Sequence, residues 1–162
     1  MSKKVITISL TDNSIKKAIA DVEQFKRELD QKASQLIQRL VDRGVEIARE
    51  QVISLGAFDS GDLAGSLDGL MYTDGKHGII FTKCNHAAFV EFGTGVVGAA
   101  SPHPTLPWAY DVNQHGEAGW VYYDEVEGRF RWTKGMPSRP FMHNTAAQLE
   151  REVLQIAKEV FA

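Results

Sequence analysis

Polar and apolar side chains alternate over residues 5–10, with Ile6, Ile8 and Leu10 on one side and Val5, Thr7 and Ser9 on the other. A period of two predicts a strand. Asp12, Asn13 and Ser14 follow with side chains suited to capping a helix, Asn13 or Ser14 being the expected cap. From Ile15 to about Leu55 there is no proline, and the apolar period becomes helical. Ile15, Ile19, Val22, Phe25 and Leu29 form one stripe. Ala33, Leu36, Ile37, Leu40, Val41, Gly44, Ile47, Ala48 and Val52 continue it. Unbroken, this element would be about 60 Å long at 1.5 Å per residue. A break near Asp30-Gln31 is expected, giving two helices or one bent one, because an uncapped helix that long usually has a partner along its length. A neighbouring subunit would serve.

Beyond Gly56 the pattern shortens. Residues 58–63 are turn-rich, and residues 66–72 and 78–84 predict two strands joined through Asp74-Gly75, a good hairpin signal. Residues 85–92 are a short apolar stretch. Residues 93–115 lack periodicity and hold Pro102, Pro104 and Pro107, which predicts a long loop of functional or mobile character. A second hairpin is predicted from residues 120–123 and 130–132, turning at Glu127-Gly128, its aromatic residues suited to a pleated surface. Residues 136–140 read as a loop. A last helix starts near Pro140, with Met142, Ala146, Leu149, Val153, Ile156, Ala157 and Val160 on its buried face. The order implies an α+β fold, a mostly antiparallel sheet packed against long N-terminal helices and a C-terminal helix. Residues 1–162 are expected to form a single domain, with an N-terminal strand and helical region over 1–55 and sheet, loops and C-terminal helix over 56–162.

Composition narrows the function classes. The 162 residues are 43% hydrophobic and 24% charged, ordinary for a soluble globular chain and enough for a core without staples. The N-terminus is too short and too polar for a signal peptide, and no apolar run approaches the roughly 20 residues of a membrane span. The expectation is a protein that stays where it is made or leaves within an assembly. The single cysteine, Cys84, reads as a small apolar strand residue in a reducing compartment. Net charge is −3, with basic residues scattered apart from Arg129, Arg131, Lys134 and Arg139, themselves offset by Asp124, Glu125 and Glu127. Nucleic acid is therefore not expected as the primary ligand.

Candidate chemistry is sparse. Residues 93–98 spell G-x-G-x-x-G, but the run into Ala99-Ala100-Ser101-Pro102 does not suit a regular helix and no βαβ unit surrounds it, so a flexible loop is expected and no cofactor. His77, His86, His103, His115 and His143 show no close metal-ligand spacing, and His103 and His115 of the long loop read as surface imidazoles. His103 and His115 do share the long loop with Asp111 and Glu117, which keeps open an alternative, a metal-dependent hydrolase built on residues 93–117. Cys84 and His86 lie two apart without a third, orienting group, and Asp124-Glu125 read as solvated charges. No catalytic, cofactor-binding or metal-ligating residue is assigned.

Three segments remain: residues 60–67 (Ser-Gly-Asp-Leu-Ala-Gly-Ser-Leu), residues 86–95 containing Glu91-Phe92-Gly93-Thr94-Gly95, and residues 136–142 containing Arg139-Pro140-Phe141-Met142. In their order and spacing, from about residue 30 to the end, the chain resembles the tail-component, or tail-completion, proteins of long-tailed bacteriophages of the HK type. His86 stands where that family usually has an aromatic residue, Ser138 replaces a small apolar one, and the hairpin over residues 120–132 is longer. The resemblance implies a non-enzymatic structural protein of the head–tail junction, made in the bacterial cytoplasm and carried in the virion. It also implies a homo-oligomeric ring of six-fold symmetry, with head-closure, connector or tail-tube proteins as partners.

The residues have a physical reading of their own. Glu91 lies between Val90 and Phe92, and Arg139 is the expected ion-pair partner, within one subunit or across two. Gly93 and Gly95 permit positive φ for a sharp exit from the segment. Phe141 would anchor the last helix in the core. The long helices and the aromatic hairpin, with Trp120, Tyr122, Phe130 and Trp132, are the expected ring contacts. The 93–115 loop is expected to order against a partner.

Overall fold

A computed structural model describes residues 5–57, 60–105, 108, 117–124 and 127–162. One uninterrupted helix, α1 (Asp12–Ser54), occupies 43 residues, about 65 Å at 1.5 Å per residue. It runs straight through Asp30 and Gln31, where a break was expected. Neither residue is glycine or proline, and intrinsic preferences below about 0.7 kcal/mol per residue do not stop a helix. The helix starts earlier than the expected caps. Thr11 is at the N-cap without a side-chain bond, and Ser14 Oγ instead accepts from the Ser9 N–H at 3.0 Å. Residues 5–10 form no strand. Alternation predicts a strand only where another strand offers a ladder, and the described strands pair within their own hairpins.

After α1 come the short helix α2 (Asp62–Gly65) and the hairpin β1 (Leu67–Met71) with β2 (Gly78–Thr82). Helices α3 (Ala87–Phe92) and α4 (Gly95–Ala100) follow, then the hairpin β3 (Trp120–Asp124) with β4 (Arg129–Thr133), and last α5 (Phe141–Phe161). The class is α+β, but the described strands form two separate antiparallel pairs in place of one sheet. In the first pair Leu67 opposes Thr82 and Met71 opposes Gly78; in the second Trp120 opposes Thr133 and Asp124 opposes Arg129. Helix α4 overturns the expectation of an irregular loop from residue 93 onward. Gly95 starts a helix that ends at Ala100, with Ser101 as its C-cap just before Pro102.

The core lies at one end of α1. Ala48 and Val52 from α1, Leu63 from α2, Leu67 from β1, Ala87 and Val90 from α3 and Phe141 from α5 form one buried cluster. The first hairpin lies against α1 at a glycine: a Cβ on Gly44 would come within 2.1 Å of Ile80 Cδ1. That contact offsets the roughly 1 kcal/mol that a glycine costs inside a helix. Along α5 the fully covered positions are Phe141, Thr145 and Val160, and Ala146, expected inside, faces water. Thr145 is accommodated because its hydroxyl donates to the Phe141 carbonyl at 2.7 Å.

Helices α1 and α5 run antiparallel, joined by polar contacts as much as by apolar ones. Arg43 Nε donates to Glu152 Oε2 at 2.8 Å and its Nη2 to Oε1 at 3.2 Å, a bidentate pair. Gln51 and Gln148 bond at 3.3 Å, Arg39 reaches Glu159 at 3.4 Å, and Lys32 Nζ donates to the Ala162 carbonyl at 3.2 Å. Helix α5 therefore ends level with Lys32. Residues 12–31, about 30 Å of helix, extend past it as an arm.

The Arg43 guanidinium holds the Glu152 carboxyl at about 2, against an ordinary 4.5, with a further hydrogen bond from Gln148 acting the same way. A carboxyl lowered on folding stabilises the fold above its unfolded value and loses that contribution as pH falls toward the folded one. Glu152→Gln should therefore melt below the wild type at pH 6. The gap should close between pH 4.5 and 2, and shrink in high salt because the pair is solvent-accessible. Thermal melts across that range, read by circular dichroism, check this.

Candidate functional site

The motif-bearing segments meet at the start of α5. Pro140 occupies the N-cap and offers no side-chain bond, which leaves the first N–H groups of the helix without a local acceptor. Glu91, near the end of α3, supplies one across 51 residues: its Oε2 accepts from the Met142 N–H at 2.8 Å. Its Oε1 accepts from the His143 N–H at 3.0 Å. Glu91 is only 7% exposed. It sits against the positive end of the helix dipole, where an anion is favoured. Backbone bonds reinforce the junction: Arg139 N–H donates to the Val90 carbonyl at 2.8 Å, and Thr94 N–H to that of Met136 at 2.9 Å. The Ser138 hydroxyl donates to the Glu91 carbonyl at 2.6 Å.

The expected Glu91–Arg139 ion pair is not formed within the chain. Among the described residues the partners of the Glu91 carboxylate are the two helix N–H groups and His103. Arg139 joins the junction through its backbone. The physical reason is geometric: a helix N-terminus offers two aligned donors, and they occupy the place foreseen for the guanidinium.

His103 was expected at the surface and is instead buried, its side chain 1% exposed. The Thr105 N–H donates to its Nδ1 at 3.3 Å, which assigns the proton to Nε2 for donation to Glu91 Oε1 at 3.2 Å. Rings surround the pair. Phe92 lies 4.9 Å from His103 between centroids, His143 meets His103 edge-on at 5.3 Å, and Trp108 stacks on Phe92 at 4.4 Å. Burial of a charged group is tolerated here because each carboxylate oxygen has a donor.

Glycines set how closely these strands of backbone approach. Gly93 has φ +78°, and a Cβ there would stand 2.6 Å from the Ser138 nitrogen. Gly135 has φ +103°, and its Cβ would come within 2.0 Å of the Thr94 carbonyl oxygen. Gly95 also takes positive φ, at +59°. Phe141, 1% exposed, seats the helix in the core.

The aromatic hairpin divides the expected contact residues between two faces. Trp120, Tyr122, Asp124, Arg129, Arg131 and Thr133 share one side, where Arg131 Nε lies 3.0 Å from Asp124 Oδ2 and Glu127 pairs with Arg129 and Arg131. Asp124 is thus a paired group, contrary to the expectation of a solvated charge; Glu125 lies outside the described residues. Val121, Tyr123, Phe130 and Trp132 share the other side, exposed by 61, 52, 74 and 58%. Two of these, Val121 and Tyr123, were not singled out from the sequence; the two-residue period from Trp132 and Phe130 across the register would have found them. A second apolar surface lies on the arm, where Ile15, Ile19, Val22 and Leu29 are 41, 55, 55 and 40% exposed.

The remaining candidates stay apart. Cys84 lies beyond the end of β2, its Sγ 3.2 and 3.1 Å from the two ring nitrogens of His86, beside an open cleft of about 530 Å³ that Asp62, Ser66 and Lys83 also line. No third side chain hydrogen-bonds His86 among the described residues. His115 and Asp111 lie outside the described residues, and Glu117 is exposed. Among the described residues no three His, Cys, Asp or Glu side chains gather as metal ligands, and no helix is long and apolar enough to cross a membrane. Compared with family models, curated proteins and solved structures, the chain finds no match.

The cap makes a quantitative prediction. Glu91→Ala removes the acceptor of two helix N–H groups and of His103 and should cost about 3 kcal/mol, or roughly 10 °C in melting midpoint at this size. Glu91→Gln, which keeps an acceptor oxygen without the charge, should cost less. Arg139→Ala should stay within about 0.5 kcal/mol. Urea titrations of the three variants decide between a helix cap and a side-chain ion pair, the latter requiring Arg139→Ala to match Glu91→Ala.

Proposed function

We propose that this protein is a non-enzymatic structural subunit of a long-tailed bacteriophage or prophage, acting at the head–tail junction or in tail completion by closing into a ring. The observation that carries this reading is the apolar hairpin face left in water, with Phe130 74% and Val121 61% exposed. Contiguous apolar patches rimmed by polar groups mark surfaces that another protein covers. An isolated two-stranded ribbon is also at best marginal in water, and a partner across its face removes that weakness. The resemblance carried by Glu91-Phe92-Gly93-Thr94 and Arg139-Pro140-Phe141-Met142 supplies the class. Those two tetrapeptides meet in the α5 cap, a structural role.

On this reading the subunit has no turnover and no cofactor. Its partners are further copies of itself, in a six-fold ring, and a head-closure, connector or tail-tube protein bound to that ring within the virion. Assembly is sequential where each bound protein completes the surface for the next.

Deletion of the gene from its phage should leave filled heads and separate tails in the lysate, seen by electron microscopy, with infectivity lost by several orders of magnitude and restored by the gene in trans. Intact infectious virions from the deletion would overturn the proposal. So would a stoichiometric metal-dependent hydrolase activity of the purified chain.

A further inference from the structure

The two edges of the first hairpin differ. The Tyr72 N–H donates to the His77 carbonyl at 2.9 Å, so in alternation Leu70 bonds Ile79 and Asp68 bonds Phe81. The N–H and C=O groups of Leu67 and Gly69 on β1, and of Gly78, Ile80 and Thr82 on β2, therefore point away from the hairpin. On β1 the chain covers its own edge. Arg49 Nη2 donates to the Leu67 carbonyl at 2.9 Å, and the Gly69 N–H donates to Asp68 Oδ1 at 2.8 Å. On β2 no hydrogen bond among the described residues reaches the outward backbone groups. The strand (Gly-Ile-Ile-Phe-Thr) also holds no charge, no proline and no bulge, the devices that keep a free edge from pairing.

The same chain holds a strand pattern without a ladder. Residues 5–10 alternate, and Val5, Ile6, Thr7 and Ile8 are all β-branched, yet the segment has no regular structure. Ser9 is engaged at the start of α1, its N–H donating to Ser14 Oγ and its carbonyl accepting from Thr11. The backbone of residues 5–8 makes no hydrogen bond among the described residues. Ile6 is half-buried, while Val5 and Ile8 are 77 and 58% exposed. Within one chain the segment and the open edge cannot meet. The hairpin lies on α1 at Ile37 and Val41, which a Cβ on Gly78 would strike. Ile37 is about 39 Å along the helix from Thr11 at 1.5 Å per residue. Residues 5–10, fully extended, span about 20 Å at 3.3 Å per residue.

We infer that residues 5–8 of one copy of this chain add as a third strand to the free β2 edge of the next copy. Main-chain bonds to Gly78, Ile80 and Thr82 hold the strand, and its alternate side chains set the match. Ile80 points to the helices, where its Cδ1 and Leu149 Cδ2 of α5 both crowd the place a Gly44 Cβ would take. With Ile6 and Ile8 on that face, the added strand continues the apolar layer from Ile80 over α5, and Val5 and Thr7 face outward. The contact is head-to-tail, a donor segment at one end of α1 and an acceptor edge toward the other, the arrangement that closes a ring under rotation. The inference rests on the ring reading above and adds to it which elements join.

The test uses the full chain carrying Thr7→Pro and Ile8→Pro together. Neighbouring N–H groups of a strand point to opposite sides, so one of the two prolines removes a donor to β2 whichever way the segment faces. Wild type should sediment as a ring-sized oligomer and the double variant as a monomer, a several-fold loss of mass at unchanged helix content by circular dichroism. Hydrogen exchange followed by mass spectrometry supplies a second readout on the acceptor strand. The β2 amides should exchange about tenfold more slowly in the wild-type oligomer than in the variant. An oligomer that persists in the double variant would overturn the inference while leaving the ring reading in place. So would a wild-type oligomer whose β2 amides exchange as fast as the variant's. A wild-type chain that stays monomeric at the highest attainable concentration would remove both.

Discussion

A helix that begins on proline has lost one way of satisfying its own first turn, and a carboxylate between Val90 and Phe92 has lost its water. Each of these is costly alone. In this protein they cancel: the Glu91 carboxylate accepts from the Met142 and His143 N–H groups, and His103 completes the set. Because the contact spans 51 residues, it closes the chain around everything between α3 and α5. Helix α4 and the aromatic hairpin are held by their ends at this junction, through Gly93 and Thr94 on one side and Gly135, Met136 and Ser138 on the other. Shifting the cap would shift the hairpin with it.

The rest of the architecture is lopsided. Apolar burial concentrates where the end of α1 meets α2, β1, α3 and the start of α5. Farther along, α1 and α5 are held by Arg43 with Glu152, Arg39 with Glu159, and Lys32, contacts that set alignment more than they drive collapse. Past Lys32 the apolar stripe of α1 continues with nothing of α5 beside it. A helix with a half-exposed apolar stripe, and a ribbon with four apolar groups on one face, suit a component whose burial is completed between molecules. That is the physical content of the structural role proposed for this chain.

The chemistry-bearing side chains are distributed in a way that fits this division. His103, read from the sequence as a surface group, is used inside as a donor to Glu91. Cys84 and His86 touch at the edge of an open cleft without a third group to orient them. The best-organised polar site among the described residues binds the protein's own helix.

Local periodicity determined the helical character of residues 15–54, the two hairpins with their turns, the last helix and the α+β class, because 3.6- and 2-residue patterns are written into neighbouring side chains. The glycines at 93 and 95 were legible for the same reason, as their backbone demand is local. Tertiary structure alone decided the rest. Residues 5–10 alternate like a strand yet have no ladder to join, and Asp30-Gln31 is too weak a signal to break a helix. The Glu91 partner was misread because donors on a helix end belong to no side chain and leave no letter in the sequence. The division of the hairpin into a charged face and an apolar one depended on register, which sets Tyr123 against Phe130 and Val121 against Trp132. A pattern along the chain fixes what each element is; which groups it meets depends on contacts between residues far apart, and those are set by packing in three dimensions.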